Sequence, residues 1–255
     1  MKPITVITCY DFTFARVLAG VPDLDFILVG DSAANVIYGE ERTTGIDLDR
    51  MLFHVEAVRR GIDRAKVSST ETKPTLIGDL PAGSYDTAEL ALQAAAKMKA
   101  RGAEIIKLEG ANIPVVESLR KAGYRVCGHI GYTPQSISEA RVQGRDDTNA
   151  KRILNEARLL EAAGVELLVL ELMPRELAKV ISAELKTPTI GIGAGADCDG
   201  QVLVLYDLLG MDADFNPKFL KKFADGKSWI QSAVGDYVQA VKNKSYPDDQ
   251  HSFSS

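Results

Sequence analysis

Short runs of consecutive apolar residues alternate along the chain with longer stretches of helical periodicity. The runs at 4–8, 26–29, 75–78, 105–108, 125–129, 167–170 and 189–192 are four or five residues long, and several are apolar at successive positions. A strand with one wet face alternates with period two, so unbroken runs predict parallel strands covered on both faces. Between them, 48–60, 86–101, 113–122, 147–163 and 175–185 read as helices. Asp86 or Thr87 is suited to cap the second of these, and Gly102, Gly123 and Gly164 close three of them just before a strand begins. Thr187-Pro188 ends the fifth, because the residue before proline is pushed out of the helical region.

Repeated β-α units within 255 residues predict an α/β fold, a closed (β/α)₈ TIM barrel rather than an open doubly wound sheet. Seven strands are readable, and the stretch 213–223 is the candidate for the eighth. After Asp225 the apolar residues Trp229, Ile230, Val234, Tyr237, Val238 and Val241 recur every three or four positions, which predicts a long helix with a core or subunit-contact face. The tail 245–255 is polar, and no linker is evident, so residues 1–255 are expected to form one barrel domain with a C-terminal helix and tail.

Composition narrows the function. Apolar residues at 45% and charged residues at 25% exclude a disordered chain. Thirty Lys and Arg against 35 Asp and Glu leave a net charge of −5, which argues against nucleic acid as a partner. Cys9, Cys127 and Cys198 are too far apart for a thiolate zinc site and odd in number for a disulfide framework. Thr and Pro interrupt the first apolar residues, and no apolar run approaches a membrane span. A cytoplasmic protein is therefore expected.

The charges then supply the chemistry. Asp31, Asp79, Glu109 and Glu171 each follow a predicted strand, while Lys107 lies near the end of one and His129 closes another. In a parallel barrel, C-terminal strand ends open onto one face. A lone acid in such a place is most often a cap or turn former. Four acids and a lysine on one face are harder to explain that way. Crowded carboxylates raise one another's pKa unless cations offset them. Lys107 offsets one charge, and a divalent cation held by Asp31 and Asp79 would offset two. Oxygen ligands point to Mg²⁺ over zinc. Glu171, left without a partner, suits a general base. His129 and His54 read more readily as structural histidines. The Gly191–Gly195 stretch follows the seventh strand, where barrels often bind phosphate, but it lacks a dinucleotide fingerprint and a tight turn explains it equally well.

Seven segments in order give these residues a context. Val29-Gly30-Asp31-Ser32, Gly78-Asp79-Leu80-Pro81, Lys107-Leu108-Glu109-Gly110 and Gly128-His129-Ile130-Gly131-Tyr132-Thr133-Pro134-Gln135 resemble the site segments of the ketopantoate hydroxymethyltransferases. Val142-Gln143-Gly144-Arg145, Leu168-Val169-Leu170-Glu171 and Ile190-Gly191-Ile192-Gly193-Ala194-Gly195 continue the series. The resemblance runs from about residue 4 to 253. It implies a barrel of the phosphoenolpyruvate/pyruvate type and Mg²⁺ dependence. The implied reaction moves a one-carbon unit from 5,10-methylenetetrahydrofolate to 3-methyl-2-oxobutanoate, giving 2-dehydropantoate on the route to pantothenate. By position it implies Asp31, Asp79 and Glu109 at the metal and Glu171 as proton acceptor. Asp31, Ser32, Asp79, Lys107 and His129 are the implied substrate contacts, and a homo-oligomer, a ring-based decamer, is implied as well. The chain departs from the family pattern at Ala33-Ala34-Asn35, at Arg42-Thr43-Thr44-Gly45 and at Ala82, where an aromatic residue is usual. Two further readings remain: Lys107 as a Schiff-base lysine in an aldolase, and a silent homologue that binds a keto acid without turnover.

Overall fold

Parallel pairing closes the sheet on itself. The computed structural model describes residues 2–66 and 72–254. In it β1 (Ile4–Thr8), β2 (Phe26–Val29), β3 (Thr75–Asp79), β4 (Ile105–Lys107), β5 (Arg125–Gly131), β6 (Leu167–Glu171), β7 (Thr189–Ile192) and β8 (Gly200–Leu203) pair in chain order. β8 returns to β1, with Ile4 opposite Gly200 and Val6 opposite Val202. The connecting helices are α1 (Phe12–Leu18), α2 (Ala33–Val36), α3 (Leu48–Arg64), α4 (Ala88–Ala100), α5 (Ile113–Lys121), α6 (Asp147–Ala163) and α7 (Arg175–Glu184). Their starts follow local chemistry. Asp47, Thr87 and Asp146 accept from the first-turn N–H groups of Arg50, Leu90 and Asn149. Gly164 ends α6 in the left-handed region at φ 91°.

The eighth strand corrects the sequence reading. It is Gly200–Leu203, seven residues after β7, and not 213–223, which holds no strand. A parallel crossover ordinarily needs a dozen or more residues and a helix. Here the loop 193–199 makes the return alone, so a search for strands spaced by helices passes over it. The reading also missed α1 and α2, which are too short to show a period.

Each strand contributes to the barrel interior, through Val6, Leu28, Ile77, Ile105, Cys127, Val169, Ile190 and Val202, all buried, with Leu167 as a second buried residue from β6. Side chains repeat with period two along a strand. Two residues further toward the C-terminal end, the same inward direction belongs to Asp79, Lys107, His129 and Glu171. The strand period thus sets four of the candidate residues directly above the apolar layer.

The two ends of the barrel treat charge differently. At the N-terminal end acids are satisfied. Asp25 accepts from the Thr5 N–H at 2.8 Å, and Asp199 from the Thr189 N–H at 2.8 Å. Glu166 lies 2.6 Å from Arg120 and 2.7 Å from Arg125. Partial burial would raise the Glu166 carboxyl, but the two guanidinium groups outweigh it and hold it below the usual range. A lowered folded pKa contributes stability above the ordinary Glu value of about 4.3, and that contribution fades as pH falls through the folded value. Glu166→Gln is therefore expected to cost about 0.5–1 kcal/mol at pH 7, because the group is partly wet. Urea titrations of both proteins at pH 7 and pH 3 check this. A gap that widens on acidification would contradict it.

Contacts divide the chain into two compact units, 1–204 and 205–255. The second holds α8 (Leu205–Leu208), α9 (Gly226–Lys242) and a 3₁₀ turn at Asp249–His251. Asp225 caps α9 by accepting from the Ser228 N–H. The apolar residues of α9 are not core: Trp229 is 72% exposed and Tyr237 58%.

Candidate active site at the C-terminal rim

All six charged residues singled out in the sequence arrive at the same rim. Asp31, Asp79, Lys107, Glu109 and His129 are buried, while Glu171 keeps partial access to solvent. Asp79 and Lys107 stand opposite each other on β3 and β4, so the Lys107 ammonium reaches Asp79 Oδ2 at 2.6 Å. Asp31 follows Gly30 in the turn that opens α2, and its N–H lies 3.4 Å from Asp79 Oδ2. Ser32 Oγ is 2.8 Å from the Tyr10 hydroxyl. His129 lies between two acids, with Nδ1 3.4 Å from Glu109 Oε1 and Nε2 3.2 Å from Glu171 Oε2.

Electrostatics follow from burial first. Burial drives Asp31 and Asp79 above the usual carboxylate range, with Lys107 pulling back. Burial would also raise Glu109, but His129, Lys107 and the Gln135 N–H hold it below that range. Burial disfavours the Lys107 ammonium, yet Asp79, Glu109 and Asp31 outweigh it and keep the amine protonated. For His129, burial and Lys107 both work against the charged ring. The two flanking glutamates prevail and lift it to about 9.

The backbone around Glu171 is tightly specified. Gly131 has φ +97°, and a Cβ there would lie 2.2 Å from the Glu171 carbonyl oxygen, so only glycine fits. The same carbonyl accepts from the Tyr132 N–H at 2.9 Å. Leu172 turns the chain at φ 44°, a strained conformation for a branched residue. It is pinned by its N–H to the Ile192 carbonyl and by the Gln143 N–H to its own carbonyl.

One buried carboxylate oxygen, Asp79 Oδ1, has no partner, whereas Glu109 Oε1 faces His129 Nδ1 at 3.4 Å. Among the described residues no three His, Cys, Asp or Glu side chains form a ready-made metal cage. A hard cation that keeps waters and takes only one or two carboxylates plus substrate oxygens suits such a donor set. The residues therefore fit Mg²⁺.

Sequence reasoning missed the neutral residues. Gln135, Tyr85, Tyr10 and Tyr38 carry no charge pattern, and only the folded backbone brings them in. His54 is structural as expected: its Nδ1 is 2.6 Å from the Tyr10 carbonyl and its Nε2 3.0 Å from the Tyr38 hydroxyl. The only available signal was Gln135 directly after Thr133-Pro134, inside a segment already noted.

The family model of ketopantoate hydroxymethyltransferase matches residues 1–249. The chain belongs to that family. The 3-methyl-2-oxobutanoate hydroxymethyltransferase of Anaeromyxobacter sp. (strain Fw109-5) is 47% identical over 261 residues, covering 100% of this chain and 84% of the relative. That of Thiobacillus denitrificans (strain ATCC 25259 / T1) is 47% identical over 260 residues, covering 99% and 94%. A member of the ketopantoate hydroxymethyltransferase family is a transferase, and this chain is an enzyme on that ground. Its barrel is similar to phosphoenolpyruvate phosphomutase from Streptomyces platensis subsp. rosaceus, with a TM-score of 0.61 at 11% identity over 95% of this chain and 84% of that one. It is also similar to phosphonopyruvate hydrolase in complex with oxalate and Mg²⁺, with a TM-score of 0.58 at 10% identity over 98% and 88%. These likenesses show the fold alone, a closed (β/α)₈ barrel. Among the described residues no helix is long and apolar enough to cross a membrane.

Proposed function

We propose that the chain moves the one-carbon unit of 5,10-methylenetetrahydrofolate onto C3 of 3-methyl-2-oxobutanoate, consuming one water and releasing 2-dehydropantoate and tetrahydrofolate in pantothenate biosynthesis. Asp31 and Asp79 would hold Mg²⁺ at the rim, with Glu109 the third acid associated with it. The observation that carries this reading is the orphaned, buried Asp79 Oδ1 beside a lysine that neutralises only part of the charge of Asp31 and Asp79. The oxalate and Mg²⁺ of the phosphonopyruvate hydrolase complex, a small dicarboxylate with a metal on a similar barrel, support it. When bound, the cation supplies Lewis-acid polarisation of the keto oxygen.

The chain's own residues do the rest. Lys107, protonated and fixed against Asp79, offsets the substrate carboxylate. Ser32 and His129 line the same mouth and contact the keto acid. Glu171 Oε2 accepts the C3 proton, its carboxylate aimed by His129 and its backbone held by Gly131 and Tyr132. Water cleaves both C–N bonds of the folate methylene, freeing tetrahydrofolate and leaving the carbon as formaldehyde; C3 bonds to that carbon, and its oxygen takes up the proton removed from C3 to become the hydroxyl group. The Schiff-base alternative needs a neutral amine. A lysine with a raised pKa in a buried ion pair favours the charge-balancing role instead. The exposed apolar face of α9 supports a homo-oligomer, and the composition supports a cytoplasmic location.

The experiment combines purified protein with both substrates and Mg²⁺ and follows 2-dehydropantoate by mass spectrometry. Product is expected with Mg²⁺, none after EDTA, and recovery when Mg²⁺ is restored in excess. Equal rates with and without EDTA would refute the metal assignment.

A further inference from the structure

The residue that joins the rim carboxylates is neutral. Gln135 sits four residues past β5, in a turn closed by the Ser136 and Ile137 N–H groups on the Thr133 carbonyl at 2.9 and 2.8 Å. Its backbone N–H donates to Glu109 Oε2 at 3.0 Å. Its side-chain Nε2 donates to Asp31 Oδ2 at 3.0 Å and to the Leu80 carbonyl at 3.1 Å. The Tyr85 hydroxyl donates to its Oε1 at 2.6 Å. Segments that follow β2, β3, β4 and β5 therefore meet on one residue.

These partners fix the amide in one orientation. Turned over, its oxygen would face the Leu80 carbonyl and the Asp31 carboxylate, acceptor against acceptor, while its NH₂ would lose both of them. The charge logic is as specific as the geometry. A lysine at this place would orient Asp31 and also neutralise it. A primary amide orients the carboxylate and leaves its negative charge for a cation. Lys107 and Gln135 thus divide the work: each occupies one oxygen of its aspartate, Oδ2 of Asp79 and Oδ2 of Asp31. On Asp79 the other oxygen is the orphaned Oδ1.

We propose that Gln135 is a positioning residue that sets Asp31 and Glu109 for the cation, and that Tyr85 acts through it by locking the amide. The proposal rests on the metal-dependent reading above and adds a supporting layer to it. Partners of this kind ordinarily change metal affinity by about 10–100-fold when removed.

The test uses Gln135→Met, Tyr85→Phe and the double variant. Mg²⁺ affinity is measured by calorimetry without substrate, and kcat and KM from C3 hydrogen exchange of 3-methyl-2-oxobutanoate. Gln135→Met is expected to weaken Mg²⁺ binding by about 10–100-fold. Tyr85→Phe should weaken it by about fivefold, as one neutral hydrogen bond would. The double variant should lose less than the product of the two single losses, because the Tyr85 hydroxyl reaches Asp31 through the Gln135 amide, while its contact with the Glu109 backbone is its own. At saturating Mg²⁺ the loss should appear in KM more than in kcat. Parent-like Mg²⁺ affinity in Gln135→Met, or a double variant that multiplies the two losses, overturns the proposal. A change in melting temperature without a change in affinity overturns it as well. Should Gln135→Met not fold, parent-like affinity in Tyr85→Phe overturns it alone. A parent that binds no Mg²⁺ overturns this proposal together with the proposed function, whereas a binding parent with unaltered variants overturns this one only.

Discussion

Glu171→Gln should stop C3 hydrogen exchange while leaving keto-acid binding nearly intact. The side chain closes β6 at the rim, keeps access to solvent, and presents Oε2 at 3.2 Å from His129 Nε2. Glutamine has the same shape and can still meet the imidazole, but it cannot accept a proton. Removing a positioned general base ordinarily costs about 10²–10⁴-fold in rate. The readout is the loss of the C3 proton signal of 3-methyl-2-oxobutanoate in deuterated water with Mg²⁺, alongside its dissociation constant. Binding within a fewfold of the parent and exchange reduced at least a hundredfold are expected. Parent-like exchange would remove Glu171 from the mechanism. The same measurement separates a silent keto-acid binder from an enzyme, since a silent homologue would show no exchange in the parent either.

Lys107→Met should be the most destabilising single change at the rim. It leaves Asp79, fully buried, without its 2.6 Å partner, and leaves Asp31 beside it without the Lys107 charge. Breaking a buried pair by removing one partner typically costs about 3–5 kcal/mol. The pH dependence has a definite sign. Burial already raises the Asp79 pKa above its unfolded value, and losing Lys107 raises it further. A folded state that binds the proton more tightly loses stability as pH rises from the unfolded pKa of about 3.9 to the folded one. The deficit of Lys107→Met should therefore be largest at and above neutral pH and smallest near pH 4. Adding Asp79→Asn should recover much of it, because the unpaired charge is gone. Urea titrations across pH without metal check both statements. A single variant as stable as the parent at pH 8 would show that Lys107 does not neutralise the cluster.

Much of this architecture was legible in the amino-acid order, for a physical reason. Strands covered on both faces write themselves as unbroken apolar runs, and seven of them were placed to within a residue or two. An inward side chain two residues past the last core position becomes a rim residue. An Ile77–Asp79 or Val169–Glu171 pair therefore reads as core followed by site. Asp31 is one position out of that phase, and only its turn after Gly30 returns it to the cluster. What stayed hidden was written in three dimensions. Nothing local to Tyr85 says that its hydroxyl will meet an amide fifty residues away. Nothing about His54 says that its ring will connect the end of β1 to Tyr38.

The missed strand has its own explanation and its own consequence. On β2, β3, β4 and β6 the outward residues Ile27, Leu76, Ile106 and Leu168 are buried, whereas on β8 the outward Gln201 is exposed and donates to the Gly195 carbonyl. The seven residues between β7 and β8 hold no helix, so this crossover supplies no buttress to the outer side of that stave. A bulky reporter grafted at Gln201 would thus meet water on the flank, leaving the apolar filling and the charged mouth undisturbed.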